Sequence, residues 1–189
     1  MHLAVQQIDN GVRPSPPWRG LPNEQSLRWD VAQTRSRHEK CVEIQLGRYA
    51  IESFLPLFDS VRQWTDRRVR LQLPLFPGYV FVKVAWSERL RVLQIPSVVR
   101  LVSFGGVPAI LEDGEVERLQ RALAEGVRAE PHPFLRTGRR VKISAGPLAG
   151  CEGILKRWKD HLRVVLSIEM IQRSISLDID AASLEPAPR

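Results

Sequence analysis

The sequence predicts an α+β fold in two parts, helices packed on a mainly antiparallel sheet followed by a small β-barrel. Three observations predict it. Residues 29–125 read as strand, helix, strand, strand, helix, strand and helix in turn, the order of an α/β sandwich. The stretch VKISAGPLAGCEGILK (141–156) sets two short strand-like runs around a turn rich in glycine. Beyond it, RSISLDI (173–179) alternates Ile175, Leu177 and Ile179 against Ser174, Ser176 and Asp178.

The 189 residues suffice for one large domain or two small ones, and the 43% hydrophobic content is ordinary for a globular chain. No apolar run approaches the roughly 18 residues of a membrane span. The N-terminus lacks a signal pattern, so a cytoplasmic protein with no membrane partner is expected. Cys41 and Cys151 lie far apart and have no metal spacing, which predicts two reduced, semi-buried thiols. The net charge of +7 agrees with work beside nucleic acid, and equally with a solvated basic face.

The elements follow in order. Residues 1–26 hold Pro14, Pro16, Pro17 and Pro22 without periodicity and read as a disordered tail. WDVAQT (29–34) is the first strand. Ser36 and Glu39 have capping-box spacing before a helix with Val42, Leu46 and Tyr49–Ala50 on one face. IESFLPLF (51–58) is extended. RQWTDRRVR (62–70) is basic and polar, a hairpin or loop. LQLPLFPGYVFVKV (71–84) is the most hydrophobic run. Residues 87–95 form a short helix ended by Pro96. VVRLVSF (98–104) is a strand, turned by Gly105-Gly106 into 107–111. Residues 113–125 form a helix with Val116, Leu119 and Leu123 inward. A first domain thus spans 27–125, a linker with Pro131 and Pro133 spans 126–136, and the barrel spans 137–186. The linker prolines predict two domains able to move independently.

No catalytic constellation emerges. His2, His38, His132 and His161 have no metal-ligand spacing, and no nucleophile elbow or phosphate-cradling glycine loop is present. Asp178 and Asp180 share a strand face and read as edge charges. A binding protein is expected, with no cofactor and no metal.

Two stretches look like binding surfaces. In Phe76-Pro77-Gly78-Tyr79-Val80-Phe81-Val82-Lys83, alternation puts Phe76, Gly78, Val80 and Val82 on a core face. Pro77, Tyr79, Phe81 and Lys83 fall on the other, which is either covered by a helix or exposed as a docking patch. Arg62, Arg67, Arg68 and Arg70, with Trp64 among them, suit phosphate binding and base stacking, or a solvated loop. In the barrel turn, Gly146-Pro147 breaks the strand, and Gly150 and Gly153 allow positive φ or close approach of another strand.

These pieces together resemble the NusG family of transcription elongation factors over about residues 28–186. WDVAQTRSRHEK is similar to the family's opening strand and helix, LFPGYVFV to its characteristic N-terminal motif, and VLQIPSVVRLVSFGG to the helix and strand that follow. VKISAGPLAGCEGIL resembles the KOW motif. The resemblance implies an NGN domain, an SH3-like KOW barrel, and a monomer acting without a cofactor. It implies docking on the clamp helices of RNA polymerase through Tyr79 and Phe81, with Phe76 and Pro77 shaping the patch. It sets Arg62, Arg67, Arg68 and Arg70 toward upstream DNA and the non-template strand, and Arg89 and Arg91 toward the opposite side of the cleft. For the barrel, it offers nascent RNA, the ribosome or Rho as partners.

The loop after Ser167-Ile168 departs from the housekeeping pattern. It reads Glu169-Met170-Ile171-Gln172-Arg173, with Glu169 where the family carries an aromatic and with no glycine. SIEMIQRSISLDID is closer to the specialised paralogues of the UpxY and LoaP type, which implies an operon-specific processive antiterminator. A general NusG and a KOW-type RNA-binding ribosomal or assembly protein are the competing readings.

Overall fold

The computed structural model describes residues 25–104, 107–108, 111, 114–134, 138–158, 161–168 and 171–187. The predicted tail lies almost wholly outside them, as do Glu169 and Met170.

The N-terminal half is built on a four-stranded sheet ordered β2-β5-β1-β6, from β1 (Arg28–Thr34), β2 (Glu52–Phe54), β5 (Tyr79–Val84) and β6 (Val98–Leu101). β5 runs antiparallel to both its neighbours, pairing Val31 with Phe81 and Phe54 with Phe81. β1 is central and buried on both faces, because its small and apolar side chains feed two cores. Ala32 joins Val80, Val82 and Val84 under α1 (Glu39–Arg48) and α2 (Arg89–Leu93), against Val42, Leu46 and Val92. Trp29 and Val31 join Phe76 and Phe81 on the opposite face, where α3 (Glu115–Ala124) adds Val116, Leu119 and Ala122. A two-stranded hairpin of β3 (Leu57–Gln63) and β4 (Arg68–Pro74) extends from the sheet.

Several local expectations are corrected. α1 begins at Glu39, and its N-cap is His38 with no side-chain cap bond, so no capping box forms. The Glu39 carboxylate is instead buried and accepts the Gly78 amide at 2.7 Å. A long-range bond to the most apolar turn of the chain has displaced the local one. Tyr49 is exposed rather than on the core face, since the helix ends at Arg48. Residues 98–104 are broken into β6 and β7 (Ser103–Phe104), because Val102 bonds back to the Val31 carbonyl at 2.8 Å. β7 pairs with β8 (Val107–Pro108). Cys41 is exposed and Cys151 half-buried, both as free thiols.

The second sheet is six-stranded, ordered β14-β10-β11-β12-β13-β9. It comprises β9 (Ala129–His132), β10 (Arg140–Ile143), β11 (Glu152–Trp158), β12 (His161–Ile168), β13 (Arg173–Asp178) and β14 (Leu184–Pro186). β9 falls in the stretch expected to be a linker. It pairs with β13 from Ser174↔His132 to Leu177↔Ala129. Pro131 is tolerated because β9 is an edge strand. Arg163 holds this edge, bonding Glu130 and Asp178 at 2.7 Å each. Asp178 therefore serves an ion pair, while Asp180 accepts the Ala182 amide at 3.2 Å and closes a short 3-10 turn.

The two parts touch through apolar side chains. One hydrophobic cluster contains Phe76, Phe81, Val116 and Leu119 together with Leu148, Ile171 and Ile175 of the barrel.

Asp30 is an anomaly within β1. It is 4% exposed, its Oδ1 has no hydrogen-bond partner, and burial raises its pKa from 3.8 to about 7, opposed in part by Arg28. The unfolded chain ionises above pH 3.8 while the native state keeps its proton until about pH 7. Stability should therefore fall across that window and level off above it, by at most about 4 kcal/mol. Asp30→Asn is expected to flatten the loss, as urea unfolding at pH 4.5 and 7.5 would show. An equal pH slope in the variant would remove Asp30 as its source.

Candidate functional site: an apolar face beneath the barrel

The turn at Phe76-Pro77-Gly78-Tyr79 sets the geometry of the site. Pro77 presets one bend, Gly78 takes φ +85°, and the Tyr79 amide bonds the Phe76 carbonyl at 3.1 Å. Positive φ at the third turn position suits glycine. The Gly78 carbonyl accepts the Thr34 amide at 2.8 Å, so the turn is clamped to β1 and to α1 together.

This turn interrupts the strand alternation. Val80 and Val82 point to the α1 core as expected, but Phe76 does not. It lies on the opposite side with Phe81, the rings edge to face at 5.6 Å. Phe81 also stacks on Phe54 at 6.1 Å. Both Phe76 and Phe81 are 1% exposed. Tyr79 is half-buried and Pro77 is exposed. Of the two possibilities left open for Tyr79 and Phe81, cover by a helix or exposure, Phe81 is covered, by α3 and the barrel together, while Tyr79 stays half-buried. Lys83, beside them, is held 3.7 Å from Glu52 and 3.8 Å from Glu117, above the Trp29 ring. The Trp29 indole donates to Glu117 at 2.7 Å, which with Lys83 lowers the Glu117 pKa.

The barrel closes over this face. Its turn supplies Leu148, Gly150 and Cys151, and its strands supply Leu166, Ile168 and Ile175. Opposite stand Phe76, Phe81, Leu111, Val116 and Leu119. At the rim, the Arg173 guanidinium sits 6.0 Å above the Tyr79 ring, a cation–π contact between the two parts. Arg173 was not singled out from sequence, because nothing in local spacing joins it to a ring 94 positions earlier. Between the walls remains a cavity of about 460 Å³.

The glycines of the barrel turn divide by role. Gly146 and Gly150 take φ +82° and +88°, with Pro147 between them. Gly153 keeps negative φ but runs against β12, where a Cβ would lie 2.5 Å from Val164 Cγ1 and 2.8 Å from the Val165 carbonyl oxygen. In the loop before β13, Ile171 is 4% exposed and turned into the shared cluster. Gln172 takes φ +51°, a conformation that favours glycine.

The basic segment forms the tip of the β3–β4 hairpin, closed by the Trp64 amide on the Arg67 carbonyl at 2.8 Å. Arg62, Arg67, Arg68 and Arg70 are all exposed, as is Trp64 at 51%. The register Val61↔Arg70, Arg62↔Val69 and Gln63↔Arg68 puts Arg68 and Arg70 on one face and Arg62 on the other. The Arg67 guanidinium lies 5.7 Å from the Trp64 ring. Arg89 and Arg91 are spent differently. Arg89 stacks on Trp86 at 4.5 Å, and Arg91 bonds Glu88 and the Tyr49 carbonyl, both at 2.9 Å. These contacts brace α2.

Among the described residues, no group of three or more His, Cys, Asp and Glu side chains is placed to hold a metal ion, and no helix is long and apolar enough to cross a membrane.

Residues 27–120 match the family model described as NusG, transcription termination factor nusG. The transcription termination/antitermination protein NusG of Escherichia coli K12 is 26% identical over 175 residues, which cover 85% of this chain and 96% of that protein. Its counterpart from Yersinia pestis is 27% identical, covering 84% and 95%. A structure of Thermotoga maritima NusG, solved for its domain interaction, shares the fold with a TM-score of 0.54 at 24% identity, covering 86% of this chain and 98% of that one. Through residues 27–120, this chain belongs to the NusG family of transcription factors.

Proposed function

We propose that the chain is a transcription elongation factor that docks on the clamp helices of RNA polymerase and suppresses pausing and termination in the cytoplasm. The observation that carries this reading is the apolar face of Phe76, Phe81, Val116 and Leu119, capped by a second domain rather than by its own. A face of this kind suits an apolar helical partner. The barrel and the polymerase helices would compete for it, so the free protein is a closed form that opens on docking. Pro77 and Tyr79, at the rim, make first contact.

Calorimetric titration of the full chain with a clamp-helix fragment tests this. Tyr79→Ala is expected to weaken binding about 30-fold, the effect of losing one aromatic anchor worth about 2 kcal/mol. Tyr79 is the right probe because it is half-buried. Phe81→Ala would remove a ring packed between Phe54 and Phe76 and confuse docking with unfolding. Unchanged affinity in a folded Tyr79→Ala chain would reject the patch.

The hairpin is proposed to lie along upstream or non-template DNA, with Trp64 stacking and the arginines on phosphates. Arg68→Ala with Arg70→Ala should weaken binding to single-stranded DNA and lower the salt dependence of log K by about 1.4, roughly 0.7 per lost phosphate contact. An unaltered salt slope would assign the hairpin elsewhere.

Operon-specific antitermination is the finer proposal. It is supported by Glu169 in place of an aromatic and by Ile171 turned inward, which withdraws an apolar side chain from Rho or the ribosome. The general role has its own support, since the chain spans 96% of a curated NusG. Rho-dependent termination in vitro separates the two: stimulation by this chain would establish the general role. The cover over Phe81 favours the RNA-binding ribosomal reading, which needs no exposed patch, and the NusG match of residues 27–120 weighs against it.

A further inference from the structure

The cavity between the domains is not fully used by their packing. Its volume of about 460 Å³ falls in the range of small-molecule sites. Its floor is aromatic and aliphatic, from Phe76, Phe81, Leu119 and Ile175. One polar atom reaches it unpaired: the Arg118 Nε is buried and has no hydrogen-bond partner, while the guanidinium also lies beside the Cys151 thiol and opposes the rise in its pKa that burial causes. The nearby carboxylates do not take that place. Glu152, for one, is committed to Arg140 at 2.9 Å. A buried guanidinium donor left unmade is costly, and a carboxylate matches its geometry.

We propose that this cavity is a binding site for a small aryl or alkyl carboxylate, its apolar body between Phe76, Phe81 and Ile175 and its carboxylate on Arg118. The walls come from both domains, so the ligand binds the closed form better than the open one and holds the barrel down. The regulatory consequence, a metabolite acid that withholds the factor from polymerase, rests on the docking reading above. The binding itself does not.

Two native thiols make the test specific. Cys151 lines the cavity, while Cys41 is exposed on α1 and far from it in sequence, so Cys41 serves as the internal control. The probe is 4-phenylbutyrate, added to the full chain without polymerase, with iodoacetamide labelling of each cysteine followed by mass spectrometry. Saturating 4-phenylbutyrate is expected to slow Cys151 labelling at least about tenfold and leave Cys41 unchanged. The alcohol 4-phenylbutan-1-ol, which lacks the charge, should bind at least about tenfold more weakly. Arg118→Gln should lose protection by the acid. The proposal is overturned if the acid gives no protection, if both cysteines slow alike, if the alcohol binds as well as the acid, or if folded Arg118→Gln is still protected. Since all of this is read on the free chain, failure here leaves the clamp-helix result standing, and failure there leaves this one.

Discussion

Gly153→Ala is expected to destabilise the barrel by about 3 kcal/mol, through overpacking alone. Gly153 sits opposite Val141 on β10, at the start of β11, where the strand crosses close to β12. An added methyl would meet Val164 Cγ1 at 2.5 Å, Leu166 Cδ2 at 2.8 Å and the Val165 carbonyl oxygen at 2.8 Å. The side chains can rotate, but the carbonyl belongs to the ladder and moves only with the strand. Gly146→Ala is the matched control. Its Cβ meets nothing within 4 Å, and only its φ of +82° is strained, which costs about 1–2 kcal/mol. Thermal unfolding should show the Gly153 variant lower in Tm by about 6 °C or more than wild type, with the Gly146 variant between them. Equal transitions for the two variants would mean that the close approach at Gly153 relaxes freely.

Ile168→Asp is expected to open the molecule and raise its affinity for the polymerase clamp helices by about tenfold or more. Ile168 ends β12, is only partly buried, and faces the cavity opposite Phe76 and Phe81. A carboxylate there must either lose water against an apolar wall or part the two domains, and parting is the cheaper response. The barrel's own centre, with Val141, Ile143, Val164 and Leu177, does not contain this side chain among its buried residues, so the barrel should survive. Apparent affinity for a partner of the open form rises as the open fraction rises. Two measurements check it: titration with the clamp-helix fragment, and the labelling rate of Cys151, which should increase in parallel. Faster labelling without tighter binding would show that the uncovered face is not where the polymerase docks. Neither change would show that Ile168 does not hold the closure.

Particular residues show how far the sequence could be read. The helix at 115–124 and the strands at 140–178 follow from period and turn residues, because each is decided within a few positions, whereas of the hairpin at 57–74 only the basic segment 62–70 is legible, as a hairpin or loop. The roles of Gly146 and Gly150 were legible for the same reason. Phe76 was assigned to the wrong face because Gly78, at φ +85°, resets the alternation between it and Tyr79. β9 was hidden by prolines that only an edge strand accepts. Glu39 was given to a local cap and went instead to Gly78.

By itself, the sequence determined the two-part α+β plan, the apolar turn at LFPGYV, the basic exposed tip at Trp64 and Arg67, and the family these motifs resemble. The tertiary structure alone decided what lies over the apolar face. Periodicity encodes which side of a strand is apolar and is silent on what covers it. That was settled by setting Phe76 and Phe81 on one wall of the cavity and residues such as Cys151 and Ile175, some 70 to 100 positions away, on the other, where only the packing of whole domains brings them together.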